Sequence, residues 1–425
     1  MKIRLLIRLA ACGLIGAWLL PAGAAEDHLP GASLAGLLDY AREHNPEFAA
    51  SRYEAEAALQ RVQPAAALPD PVLRTELTDI TNQGTNKGTS LLPSQVGSTR
   101  YTLMQNVPWF GKRDLQRGIA EAQLAQANSQ LSATWAELAG KIKSAYAMYC
   151  YLSDNEQLAR ETLALMVSLE QVAQTRYANG LGAQQDVIRA QVEQTGLHGE
   201  LLDLENEQHH TQGRLNTLLS RPAMAELAQP VQPRLLPAAT QLDYAVLEQK
   251  LRARNPQLQI ADARRNEAEK SRDLAYANRY PGFTLGVAPT QSGSTVKSWD
   301  LMVELNIPLQ QESRRSQERE AEALLSASGA RKDALLNQML ADLSESVSGL
   351  ETARRSEILI ATRLLPQAEL TYRSALSGYE TGKVDFATLL DAQRQILKAR
   401  QQRLKAQLDA QVRLAEIERL LGEEL

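Results

Sequence analysis

The feature that most restricts the fold of this chain is that its plan is written twice. The run Gly378-Tyr379-Glu380-Thr381-Gly382 is echoed by Tyr177-Ala178-Asn179-Gly180, and the two copies run on to Ala392-Gln393 and Ala190-Gln191. In both, a long segment of helical apolar period stops at Tyr-x-x-Gly, where glycine can take the left-handed conformation that ends a helix, and a second periodic segment follows within a few residues. Two helical hairpins are predicted, with tips near 177–183 and 379–385.

Upstream of each hairpin the same elements recur. A short amphipathic helix starts at the cap Ser33 and runs through Leu34, Leu37, Leu38 and Ala41 to Asn45-Pro46; its counterpart, Leu242 to Arg254, meets Asn255-Pro256. After a further helical stretch the period changes to two, which predicts strands at about 71–80 and 99–107, and at about 281–289 and 298–307. In the second copy Phe283, Leu285, Val287, Leu301, Val303, Leu305 and Ile307 fall on one face, with Thr284, Asp300, Glu304 and Asn306 on the other. Alternation of this kind suits a barrel wall between lipid and a wet lumen, and equally a half-buried hairpin in a soluble domain.

Each strand pair ends at a proline, Pro108 or Pro308, and a very long helix follows. No proline intervenes between Lys112 and Tyr177, a helix that would reach about 100 Å. Trp135, Leu138, Ile142, Ala145, Tyr149 and Leu152 step as a coiled-coil seam, as do Leu365, Ala368, Tyr372, Ala375 and Tyr379. Pro366 is expected to kink the second of these. A linker at 221–240 with four prolines separates a first repeat, 26–220, from a second, 241–425. The long seams of each half need neighbours, so the halves are not separable domains.

Met1 to Ala25 has a basic start, an apolar run and small residues before Glu26-Asp27, and reads as a secretory signal. Leu9-Ala10-Ala11-Cys12 also fits a lipoprotein cleavage box. Removal of the leader leaves Cys150 as the one cysteine, so no internal disulfide is available. No later run approaches the ~20 apolar residues of a membrane-spanning helix, so entry of this exported chain into a membrane would have to use strands. A net charge of −4 with no basic block gives no reason to expect nucleic acid.

Catalytic constellations are missing. The five histidines, His28, His44, His198, His209 and His210, show no metal-site spacing with cysteine or with one another. Adjacent His209 and His210 point to different helix faces, and Cys150, next to the seam residue Tyr149, reads as a packed side chain. Gly84, Gly88 and Gly97 lack the spacing of a phosphate loop. No enzyme activity, cofactor or metal site is predicted.

These residues carry a resemblance: a leader, a helix with Asn-Pro, a strand pair, Pro108-Trp109-Phe110-Gly111-Lys112-Arg113 into a long helix, a Tyr-x-x-Gly tip, and then the plan again. The chain resembles the TolC family of outer-membrane efflux channels, and the Pro-Trp-Phe-Gly-Lys-Arg run is similar to the branch serving heavy-metal exporters of the resistance-nodulation-division class. The resemblance implies a mainly α chain with a transmembrane β-barrel. Three copies would close a shared twelve-stranded barrel in outer-membrane lipid of a Gram-negative bacterium, above a periplasmic helical tunnel. It further implies a passive exit duct, joined by a periplasmic adaptor to an inner-membrane pump, with heavy-metal cations as cargo. The alternatives are drugs or secreted proteins as cargo, or the adaptor itself, which would have one hairpin. For residues, the resemblance implies adaptor docking at Tyr177, Gly180, Tyr379 and Gly382, and an entrance constriction at Asp391 with Asp385, Asp186 and Arg189 around it. Where better-known members carry two acidic residues three apart, this chain has Thr388 and Asp391.

Overall fold

The computed structural model describes residues 29–81, 89–231 and 234–425. The expected leader at 1–25, with its lipoprotein box, and Gly84 and Gly88 of the first hairpin loop lie outside the described residues. The first repeat gives α1 (Leu34–His44), α2 (Pro46–Ala65), β1 (Val72–Thr78), β2 (Ser98–Val107), α3 (Lys112–Ala178) and α4 (Gln184–Leu218). The second gives α5 (Tyr244–Arg254), α6 (Pro256–Ala277), β3 (Gly282–Ser292), β4 (Thr295–Asn306), α7 (Gln311–Leu359), α8 (Leu365–Glu380) and α9 (Phe386–Leu421). Among the described residues no helix is long and apolar enough to cross a membrane.

The two Asn-Pro pairs explain how each repeat folds back on itself. Ser33 caps α1 by accepting from the Gly36 N–H at 3.2 Å. Asn45 then caps α2, its Oδ1 accepting from the Phe48 N–H at 3.0 Å, while Pro46 fills the first helical position, where an N–H would have no partner. The Asn45 amide also donates to the Leu218 carbonyl at the end of α4, at 2.9 Å. Asn255 repeats this: it accepts from the Leu258 N–H at 2.8 Å and donates to the Leu420 carbonyl of α9 at 2.6 Å. One side chain in each copy thus satisfies the start of one helix and the end of another. Cations close the remaining helix ends: Arg113 donates to the Ala66 carbonyl after α2, and Arg314 to the Asn278 carbonyl after α6.

The four strands form one antiparallel sheet in the order β1-β2-β3-β4, so the two repeats share it. Its register puts Leu73, Leu103, Val287 and Leu301 in one row, Leu285 beside Val303 in the next, and Val107, Phe283 and Leu305 in a third. These side chains share a face, and it is bare: Leu301 is 77% exposed and Val303 63%. The opposite face carries Thr102, Thr284, Glu304, Asn306 and an Arg100–Asp300 ion pair at 2.9 Å. β3 runs on to Ser292, past the expected end at 289. The β2–β3 ladder is interrupted opposite Pro289, which has no N–H to give, and resumes at Thr290. β1 and β4 each have one neighbour, which leaves an open edge on either side.

The helices extend from this sheet, α3 alone over 67 residues. Its seam residues Leu138, Ile142, Ala145 and Tyr149 are buried with Leu37 and Leu38 of α1 and Leu215 of α4. Cys150 lies in that core with its thiol free, and burial pushes its pKa up to about 11. A matching core holds Leu343 and Leu350 of α7 with Ile417 and Leu420 of α9. Pro366 does not break its helix. A π-helical turn, Ile360–Leu364, precedes it, with the Leu365 N–H reaching the Ile360 carbonyl, and the widened turn absorbs the ring and the missing donor. The linker is fastened at both ends of its course: Leu227 packs in the first core and Leu236 on the second. Arg234 of the linker and Lys143 of α3 converge on Glu418 of α9, at 2.5 and 2.9 Å.

Candidate functional site: the paired helical tips

Both hairpin tips are built by the same backbone device. Gly180 and Gly382 each have φ of +71°. The Leu181 N–H returns to the Arg176 carbonyl and the Lys383 N–H to the Gly378 carbonyl, both at 2.8 Å, while the two glycine N–H groups reach the Tyr177 and Tyr379 carbonyls at 3.0 Å. This pair of bonds satisfies the last carbonyls of α3 and α8 and demands a left-handed residue between them.

The side chains break the symmetry. In the second tip Val384 sits so close over Gly378 that a Cβ there would lie 2.5 Å from its Cγ2. In the first tip the sizes are exchanged: Arg176 stands where Gly378 does, and Gly182 where Val384 does. Arg176 uses that position to cross between repeats. Its Nη1 donates to the Glu380 carbonyl at 2.9 Å, its Nη2 to the Leu181 carbonyl at 3.2 Å, and its guanidinium lies 4.8 Å from the Tyr379 ring centroid. Tyr379 is 3% exposed, tilted against the fully buried Phe386 at 5.4 Å between centroids, whereas Tyr177 is 49% exposed. The Tyr379 hydroxyl has no hydrogen-bond partner among the described residues. Burial raises its pKa, and the nearby Asp186 charge adds to this. Sequence reading did not single out Arg176; its signal is a basic residue in the last turn of α3 where the second copy has glycine.

The four charged residues expected at the entrance take different places. Asp385 caps α9, accepting from the Thr388 N–H at 2.9 Å and the Thr388 hydroxyl at 2.6 Å; these bonds hold its carboxyl below the usual range. Thr388 is thereby committed to the cap. Asp391 and Arg189 line one groove between the starts of α9 and α4, together with Ile188, Val192 and Leu390. Asp391 is exposed and lies 3.3 Å from Nη1 of Arg394, whose other nitrogen pairs with Glu193 of α4. Asp186 stands apart from the groove, on the Tyr379 side. The tips thus form one packed unit, with exposed ion pairs running from α9 to α4. Among the described residues no group of three or more His, Cys, Asp or Glu could hold a metal ion.

Comparison with known proteins accords with this geometry. The family described as "Outer membrane efflux protein" matches residues 37–221 and 247–423. The chain is 23% identical over 416 residues to the cobalt-zinc-cadmium resistance protein CzcC of Cupriavidus metallidurans, covering 92% of this chain and 90% of that protein. It is also 23% identical over 409 residues to the outer membrane protein TolC of Vibrio cholerae, with 92% and 90% covered. Its fold matches the outer-membrane channel OprN with a TM-score of 0.76 at 21% identity, covering 92% of this chain and 89% of that one. It matches CusC with a TM-score of 0.77 at 16% identity, with 93% of each chain covered. Matched over both repeats, the chain belongs to the outer membrane efflux protein family.

Proposed function

We propose that three copies of this chain form the exit duct of a tripartite efflux system, coupled by a periplasmic adaptor to an inner-membrane pump. The observation that carries the reading is the sheet: a face of exposed apolar rows, a polar opposite face, and an open outer edge on β1 and on β4. A four-stranded sheet cannot close alone, and β4 of one copy next to β1 of another removes the edges and turns the apolar rows toward lipid. The helices would then hang as a periplasmic tunnel, with the tips at its mouth. Tyr177, Gly180, Tyr379 and Gly382 mark where the adaptor docks, and Asp391 lines the constriction with Asp385, Asp186 and Arg189 around it. Because Arg394 pairs with Asp391, opening the mouth would exchange ion pairs rather than expose a bare acidic ring.

Heavy-metal cations are the proposed cargo, on the strength of the Pro108-Trp109-Phe110-Gly111-Lys112-Arg113 run and the likeness to a cobalt-zinc-cadmium resistance protein. The second reading keeps drugs or secreted proteins as cargo, because the identity to the cobalt-zinc-cadmium resistance protein, 23%, is no higher than that to an outer membrane protein TolC. Membrane fractionation tests the duct: the protein should resist salt extraction and run as a heat-sensitive trimer, and extraction as a soluble monomer would reject it. Growth of a deletion strain on metals and drugs tests the cargo. Unchanged metal tolerance with lost drug tolerance would select the second reading.

A further inference from the structure

The apolar face of the sheet continues past the strands toward the helices. Trp109, which follows β2, stacks on Phe283 of that face with ring centroids 5.7 Å apart. It also lies nearly parallel, at 8° and 5.0 Å, to Tyr280, which precedes β3. Phe110 stands edge-on to Trp109 at 5.8 Å and is exposed, as are Tyr280, Ile307 and Leu309. Because β2 and β3 are the inner strands of the sheet, this aromatic shelf lies away from the open edges of β1 and β4, and closing a barrel through those edges does not draw on it.

Two cations border the shelf. The Lys112 Nζ donates to the Tyr280 carbonyl at 3.2 Å, and the Arg314 Nη1 donates to the Asn278 carbonyl, two residues earlier. Burial lowers the Lys112 pKa, and the Arg314 charge lowers it further, so the two like charges feel one another. Among the described residues neither forms an ion pair, and the nearby Glu318 is already bonded by Arg279, with Arg315 acting on it as well. The buried Nε of Arg314 has no acceptor. Capping the end of α6 uses one donor group of each side chain and leaves both charges unmatched beside exposed aromatic rings.

We infer that Lys112 and Arg314 seat the headgroup phosphate of an anionic phospholipid, of the phosphatidylglycerol kind, in the leaflet nearer the helices, with its acyl chains lying on Trp109, Phe283 and the apolar rows beyond. Aromatic rings with one apolar and one polar side settle at the headgroup level of a bilayer, and a basic pocket beside them selects lipids whose phosphate charge is not offset by an amine. Lysine supplies a point charge and arginine a planar fork, both suited to phosphate oxygens. The phosphate would supply the missing countercharge and relieve the repulsion between the two cations. The inference rests on the duct reading, because that reading places this face against lipid.

The test uses purified full-length protein with Trp18→Phe, Trp135→Phe and Trp299→Phe, which leaves Trp109 as the reporting tryptophan. It is reconstituted into vesicles of brominated phosphatidylcholine, which quenches a tryptophan in contact with lipid, and unbrominated phosphatidylglycerol or phosphatidylethanolamine is then added in rising proportion. The expected result is that phosphatidylglycerol displaces the quencher from Trp109 about fivefold more effectively than phosphatidylethanolamine. Lys112→Gln with Arg314→Gln should abolish that preference, and Lys297→Gln, near the start of β4 at the far end of the sheet, should keep it. Glutamine retains a donor for each capped carbonyl, and recovery of the heat-sensitive trimer checks assembly; if the double variant does not assemble, each single change is read in the same way. Equal displacement by the two lipids, or a preference that survives the glutamine changes, would overturn the site and leave the cations as caps of α6. The same recording separates the two ideas. Quenching without a preference rejects the site alone, and a Trp109 that no brominated lipid quenches rejects the duct reading.

Discussion

The guanidinium of Arg176, at the end of the first long helix, lies 4.8 Å from the ring centroid of Tyr379 and donates to the carbonyl of Glu380 at 2.9 Å, so a first-repeat residue holds the end of the second-repeat hairpin. Arg176→Gln removes the ring contact and both carbonyl bonds, a loss of about 1–2 kcal/mol at a partly exposed site. The expected readout is a higher single-channel conductance, as the tips separate more often. Tyr379→Phe, which removes a hydroxyl without a partner, should leave conductance unchanged. An Arg176→Gln channel with wild-type conductance would show that this staple does not hold the mouth.

The tip glycines should fail for two different reasons. At Gly382 a side chain meets only the Arg176 Nη2, at 3.6 Å, so Gly382→Val suffers chiefly backbone strain at φ +71°, about 1–2 kcal/mol. Gly378→Val drives a Cβ to within 2.5 Å of Val384 and should disturb the tip more. Both variants should keep the barrel assembled and lose cross-linking to the adaptor, with Gly378→Val the weaker in efflux. Normal cross-linking in both would place the docking surface elsewhere.

How much of this was legible in the sequence depends on the range of the interaction. The Tyr-x-x-Gly stops, the Asn-Pro boundaries between helices and the alternation of Phe283, Leu285 and Val287 are local patterns whose cause lies within a few residues, and each appears in the structure where the pattern puts it. Arg176 was missed because its partners, Tyr379 and Glu380, belong to the other repeat, and no period links them. The burial of Tyr379 beside the exposure of Tyr177 was hidden by the likeness of the two copies. It follows from Phe386, which has Gln184 as its first-repeat counterpart. Pro366 reads as a kink in sequence, whereas the π-helical turn Ile360–Leu364 that precedes it has no local pattern to announce it. For Asp385 the residue type was visible but not its use as the cap of α9.

Glu418 of α9 is the buried residue on which Arg234 of the linker is fastened. Its side chain is 2% exposed, and three cationic or donor groups, Arg234, Lys143 and the Leu425 N–H, bond it at 2.5, 2.9 and 2.8 Å. Burial alone would raise its pKa, but these bonds hold its carboxyl below the ordinary carboxylate range. Because the folded-state pKa is depressed, the stabilisation is fully present above the unfolded-state value of about 4.3 and is lost as pH falls through the folded-state pKa. Glu418→Gln, which leaves Lys143 and Arg234 short of a charge, should cost about 3 kcal/mol at neutral pH. Thermal unfolding at pH 7 checks this; a melting temperature equal to wild type would contradict it.

On the sheet, Val303→Arg puts a charge on the bare apolar face, and near the membrane midplane this should cost about 2–4 kcal/mol. Glu304→Arg, one residue on and on the opposite face, should assemble normally and alter ion selectivity. The check is the yield of heat-sensitive trimer from outer membranes. Equal yields from the two variants would mean that the faces are not divided between lipid and lumen.

Single-channel recording of the purified protein in a planar bilayer, comparing wild type with Asp391→Asn, tests the proposed duct itself. Stable conductance steps that favour cations are expected, with reduced cation selectivity and weaker block by divalent ions in the variant if Asp391 lines the mouth of the proposed duct. Steps whose selectivity and block are the same in both proteins would remove Asp391 from the constriction. Folded protein that gives no conductance steps at all would contradict the duct itself.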